Sequence, residues 1–172
     1  MKNLLIVFTF FIFQTNFLLA ETNIAFIDMD KVISTSKPGL SLMKQLNEIN
    51  EKNKKKFQDD TKNLKTKEAK LISQKNILSE NDFQLKVNEL QKDIKLFNDN
   101  RNKIINDFNK LKIESTNKLL KIINPELIKY SDEKSISVIL QKKNLIIGKN
   151  ELDITNEIIK IINSNVKEFK IK

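Results

Sequence analysis

Two stretches, FQDDTKNLKTKEAKLISQKNIL at residues 57–78 and FQLKVNELQKDIKLFNDNRNKIINDFNKL at residues 83–111, decide the fold of this chain. The first carries large apolar residues at seven-residue steps, Phe57, Leu64, Leu71 and Leu78. The second does the same with Phe83, Leu90, Phe97, Ile104 and Leu111. A seven-residue apolar repeat is the seam of a helix packed against another helix. The ladders are out of phase, so one straight helix cannot carry both. Leu85 would continue the first ladder, but its next steps are Lys92 and Asp99. Folding the chain at Ser79 to Asp82 sets the rungs opposite one another, Leu78 with Phe83, Leu71 with Leu90, Leu64 with Phe97 and Phe57 with Ile104. The prediction is an antiparallel coiled-coil hairpin.

The same pairing carries outward, placing Leu42 opposite Leu119 and the break at Pro38 opposite a break at Ile123 to Pro125. Each arm is then roughly 40 residues, or about 60 Å at 1.5 Å per residue. The arms are unequal. In the first, the companion seam positions Thr61, Glu68 and Lys75 are polar. In the second, Val87, Ile94 and Phe108 fill that row, which Arg101 and Ser115 interrupt.

Before the hairpin, residues 1–20 read as an export signal: basic Lys2, an apolar run from Leu4 to Phe13 resuming at Phe17, and Ala20 as the last residue before the cut. Gln14, Thr15 and Asn16 break that run, which is short for a span needing about 20 apolar residues. Ile24 to Asp28 (IAFID) reads as a strand, Met29 to Thr35 as a helical turn, and Ser36-Lys37-Pro38-Gly39 as the entry to the first arm. Beyond the second arm, Pro125 is expected to open a short new helix to about Asp132. Ser135–Gln141 and Asn144–Gly148 are expected to form a β-hairpin. A last helix with Ile154, Ile158, Ile161, Ile162, Val166 and Phe169 on one face is expected from an Asp153 cap.

The predicted fold is therefore α+β, mainly α: a long helical hairpin at 39–123 with its tip near 79–82, standing on a small β body at 21–38 and 124–172. Three short strands leave sheet edges bare, which assembly would cover.

Composition excludes much chemistry. The chain has no His, Cys or Trp and only two glycines, Gly39 and Gly148. Cys/His catalysis, His or thiolate metal ligation and glycine-rich phosphate loops all lack their residues. No catalytic, cofactor or metal residues are assigned, and the chain reads as a non-enzyme. The 31 basic and 22 acidic residues leave about +8 after loss of Lys2, and residues 40–124 hold +7 of it. A candidate basic face comprises Lys54, Lys55, Lys56, Lys62, Lys65, Lys67 and Lys70, suited to steering acidic segments or an anionic lipid surface. Solvation of a long helix pair is the plainer reading of any one of them. Nucleic acid is not expected, because Phe57, Phe83, Phe97 and Phe108 belong to the seam and interleaved aromatic positions to stack on bases are lacking.

With these elements in order, the chain resembles the periplasmic chaperones of the Skp (OmpH) family. The residues that carry the likeness are Ile24-Ala25-Phe26-Ile27-Asp28-Met29 with Lys31-Val32 and the Ser36–Gly39 break at one end. At the other they are Ser135–Leu140, Asn144–Gly148 and Asp153-Ile154-Thr155. The resemblance implies a homotrimer whose strands join in a central barrel, with three hairpins as tentacles around an unfolded outer-membrane protein. It implies a periplasmic location in a Gram-negative-type bacterium, with no cofactor. The barrel core is expected from Ile24, Phe26, Ile136, Val138, Leu140 and Ile147, with Ile24 and Phe26 on one side near Ile136, Val138 and Leu140. A structural coiled-coil envelope protein without chaperone activity is the alternative.

Overall fold

The computed structural model describes residues 23–166 and 168–171, so the targeting segment expected at residues 1–20 lies outside it. The chain runs β1 (Asn23–Ile27), α1 (Met29–Thr35), α2 (Lys37–Ser73), α3 (Glu80–Glu133), β2 (Ile136–Gln141) and α4 (Thr155–Asn165). Short 3-10 turns at Lys142–Asn144 and Asn150–Leu152 lie between β2 and α4.

The first three helices each start on a polar cap that the sequence supplies. The Asp28 carboxylate accepts from the Lys31 amide at 2.9 Å to open α1. The buried Ser36 hydroxyl accepts from the Gly39 amide at 3.3 Å, and Pro38 sits in the first turn of α2, where its missing N–H costs nothing. Gly39 is required by space, since a Cβ there would run into the Ile33 carbonyl of α1.

α2 and α3 are the two arms of the hairpin. The reversal occupies residues 74–79 rather than Ser79 to Asp82. The reason is a local signal: Ser79 caps α3, its hydroxyl accepting from the Asp82 amide at 3.1 Å and donating to the Asp82 carboxylate at 2.6 Å. Ser-x-x-Asp is thus the start of the second arm and not the turn itself. At its far end α3 runs unbroken through Pro125 to Glu133, where the sequence suggested a new helix. Proline forfeits its own hydrogen bond and crowds the carbonyl four residues back, which here belongs to the exposed Lys121. Burial of Leu119 and Ile123 before it, with Leu127 and Tyr130 packed on the core after it, holds the helix on its path.

β1 and β2 pair in parallel, Ile24 with Val138 and Phe26 with Leu140, with a register irregularity between Asn23 and Ile24. A parallel pair needs a long crossover, and the whole hairpin supplies it. The β-hairpin expected from Ser135–Gln141 and Asn144–Gly148 does not form: after β2 the chain turns through Lys142–Asn144, and residues 145–149 are extended but unpaired. This segment instead crosses the Phe26 ring, so that a Cβ on Gly148 would lie 2.7 Å from a ring carbon. The sheet has two strands, and β2 has no strand on its other edge among the described residues.

α4 closes the body. Its Ile158 and Ile162, fully buried, join Ala25, Ile27, Val32, Leu42, Leu46, Leu119 and Ile123 in one cluster. Side-chain bonds fasten it to the other helices: Asn163 accepts from the Lys37 amide at 2.6 Å, and Asn165 donates to Glu126 at 2.6 Å. Asp153, expected as its cap, acts one residue early, accepting from the Thr155 amide at 3.0 Å and from the Thr155 hydroxyl.

Candidate binding surface of the helical arms

All nine ladder residues of the hairpin turn inward. Leu71 is buried and Phe57, Leu64, Leu78, Phe83, Leu90, Phe97, Ile104 and Leu111 are half-buried. Half-burial is what a two-helix seam can offer, because no third layer covers it. Where the companion positions are polar the seam opens. Beside Phe57 and Phe97 lies a groove of about 840 Å³, bordered by Thr61, Ala69 and Arg101. The Arg101 guanidinium of the second arm sits 5.9 Å from the centre of the Phe57 ring, capping with a cation a face that no apolar side chain of that arm covers. Thr61 spends its hydroxyl on the Phe57 carbonyl at 2.7 Å and adds nothing to the seam.

The outer surfaces carry apolar side chains of their own. Ile72, Ile77 and Leu85 are exposed around the tip, Ile77 by 81%, and Leu96 and Ile113 are exposed along α3. Single exposed Leu and Ile residues are ordinary on any surface. Here they recur along a cationic hairpin whose grooves lie open on its surface.

The seven lysines of the candidate basic face do not share one face. Lys62 and Lys65 line the groove beside Phe57, Thr61 and Arg101. Lys67 and Lys70 border a different groove nearer the tip with Glu89 and Asp93, and Lys67 is paired with Asp93 at 2.6 Å. Lys54 is paired with Glu51 at 2.7 Å, while Lys55 and Lys56 are exposed beside it. The charge wraps the arm, as successive lysines at 100° per residue must. Of the seven, only Lys62 and Lys65 join Arg101 at an apolar groove.

The six residues expected in a barrel core also divide. Phe26 is buried, under Gly148 and with the Lys142 ammonium 5.7 Å from its ring centre. Ile136 packs on the core together with Ile139, whereas Ile24, Val138, Leu140 and Ile147 are exposed, Ile147 by 90%. The expected common side of Ile24, Phe26, Ile136, Val138 and Leu140 is therefore split. The register irregularity next to Ile24 skips Ser137, so Ile136 falls on the face opposite Val138 and Leu140. Beside β2, a groove of about 520 Å³ is lined by Ile27, Met29, Leu127, Ile128, Ile139 and others, almost entirely without charge.

Electrostatics in the body centre on Asp153. Burial pushes its carboxyl up. Hydrogen bonds from Lys142, at 2.7 Å, and from Thr155 more than offset that and hold it below its ordinary value of 3.8. The same hydrogen bond raises Lys142. Residue spacing could not have revealed this pair, because a turn and not a helix brings positions 142 and 153 together.

Among the described residues no cluster of acidic side chains could hold a metal ion, and no helix is long and apolar enough to cross a membrane. The sequence profile of the family described as outer membrane protein (OmpH-like) matches residues 23–162. No curated protein gives a significant match. The fold is similar to the crystal structure of an OmpH-like outer membrane chaperone from Caulobacter crescentus, with a TM-score of 0.79 at 11% identity. The alignment spans 87% of this chain and 88% of that one.

Proposed function

The chain belongs to the OmpH-like outer membrane protein family, and from that premise we propose that it is a periplasmic holdase that shields unfolded outer-membrane proteins without ATP and without catalysing a reaction. The observation that carries this reading is the hairpin surface: exposed Ile72, Leu96 and Ile113 on cationic arms. Unfolded barrel strands are apolar at alternate residues and aggregate in water. A holder must touch many sequences weakly and let them go, which scattered apolar contacts on loosely cored arms allow.

Assembly completes the reading. Three copies joined through the body would cover the bare edge of β2 and its exposed Val138 and Leu140, with Ile147 beside them, and hang three hairpins around a cavity. Edge pairing between copies is the usual remedy for a short sheet. Val138→Asp is expected to convert the trimer to monomers by native mass, and an unchanged mass would remove Val138 from the interface.

The functional test is aggregation of a denatured outer-membrane protein on dilution, with and without a stoichiometric amount of trimer. Suppression supports the holdase. Undiminished aggregation, with the chain folded and trimeric, would leave only a coiled-coil spacer.

A further inference from the structure

At the base of the first arm the chain binds a piece of itself by its main-chain atoms. Residues 168–171, which follow α4, lie extended along α2. The Gln45 side-chain amide donates to the Phe169 carbonyl at 2.7 Å and its oxygen accepts from the Ile171 amide at 3.0 Å. The Ser41 hydroxyl adds a second bond to the Phe169 carbonyl at 2.9 Å. Gln45 is itself braced by bonds from its amide nitrogen to the Ser41 carbonyl at 3.1 Å and the Ser41 hydroxyl at 3.3 Å.

The pattern is that of a parallel ladder. A residue in a parallel strand donates to the carbonyl of one neighbour and accepts from the amide two residues further on. Gln45 does both with one side chain, so it stands in for one residue of a strand. The segment it holds alternates accordingly: Glu168 exposed, Phe169 buried, Lys170 exposed, Ile171 half-buried. Phe169 enters the same buried cluster as Leu42, Leu46, Ile158 and Ile162.

We propose that this clamp is a binding site for extended, alternately apolar strands, occupied at rest by residues 168–171 and opened when a strand of an unfolded outer-membrane protein replaces them. The inference rests on the holdase reading for its natural ligand. Three features of the seat specify that ligand. Its hydrogen bonds reach only main-chain atoms, which every extended peptide offers. Its apolar seat takes every second side chain, the period of a membrane β-strand. It also stands at the root of the arm, in the first turns of α2, where a strand held between the arms would lie. Displacing a tethered segment is a competition against its high effective concentration, so a strand gains entry only when it too is concentrated by contact with the arms.

The Ile171 amide reports the state of the clamp directly, because its hydrogen bond to Gln45 protects it from exchange with solvent. In the full chain, hydrogen exchange at Ile171 is followed as two ten-residue peptides are added. One alternates Phe or Val with polar residues, and the other has the same composition with the apolar residues in one block. The alternating peptide is expected to speed Ile171 exchange roughly tenfold at saturation while the blocked one does not. Phe169→Ala should let the alternating peptide bind at roughly tenfold lower concentration, and Gln45→Ala should weaken its binding by about the same factor while keeping Phe169 and the core. Unchanged Ile171 exchange with the alternating peptide bound, or binding indifferent to Gln45, overturns the proposal. Failure to suppress aggregation of a whole outer-membrane protein would instead remove the holdase reading, and the peptide arms would still decide the clamp.

Discussion

The two ends of the long helices are built to different standards. At the body, Leu42, Leu119, Ile123, Ile158 and Ile162 are all but excluded from water, because α1, α4 and the sheet add a second layer over the α2–α3 seam. Along the arms, from residue 47 to residue 114, Leu71 alone is buried. The same apolar residue types on helical stripes therefore do different work. In the body they fix one structure. In the arms they keep two helices together while leaving Phe57 and Phe97 open at a groove. The proposed holdase function would use that asymmetry: a firm base for assembly and arms that can be deformed by what they hold.

Core truncations should show the contrast most strongly. Leu119→Ala removes a fully buried side chain, so it is expected to cost about 3 kcal/mol and to lower the melting temperature of the whole chain. Phe97→Ala, on the half-buried seam, should cost only about 1 kcal/mol and should be felt in arm amides rather than in global unfolding. Equal losses from the two would erase the distinction between base and arm.

A gain is expected at the junction where α3 hands over to β2. Ser135 has a φ of 52°, the left-handed region that glycine enters without steric cost. Ser135→Gly should raise the denaturation midpoint by about 0.5–1 kcal/mol in stability. A fall would mean that Ser135 is held there by more than its backbone.

The body should also be acid-sensitive at Asp153. Asp153 has a folded-state value depressed below 3.8 by its bonds to Lys142 and Thr155, despite the opposing effect of burial. A depressed carboxylate contributes stability that is fully present above about pH 4 and is lost as pH falls through the depressed value. Asp153→Asn should flatten that acid limb of the melting curve. The smallest effect belongs to the exposed Lys67–Asp93 pair across the arms, where Lys67→Ala should change stability by no more than about 0.5 kcal/mol.

How far the sequence disclosed this follows from where the information sits. The ladders, the Ser36–Gly39 break and the α4 stripe are local and periodic, and they mark the helices well. The continuity of α3 through Pro125 was hidden because burial on either side of the proline outweighs its local preference. The missing strand at residues 145–149 was hidden for the opposite reason: its β-rich letters have no partner within one chain. The strap over Gln45 carries no motif at all, since its bonds run to main-chain atoms. Its Phe169 was expected on the apolar face of the last helix, but α4 ends at Asn165 and Phe169 lies beyond it.

Residue-resolved hydrogen exchange of the full chain, alone and mixed with an unfolded outer-membrane protein, tests the central claim most directly. The account predicts that amides between residues 50 and 110 exchange faster than those of the body at rest and gain protection on loading, while the body core stays unchanged. Protection gained only in the body, with the arms unaffected, would contradict it.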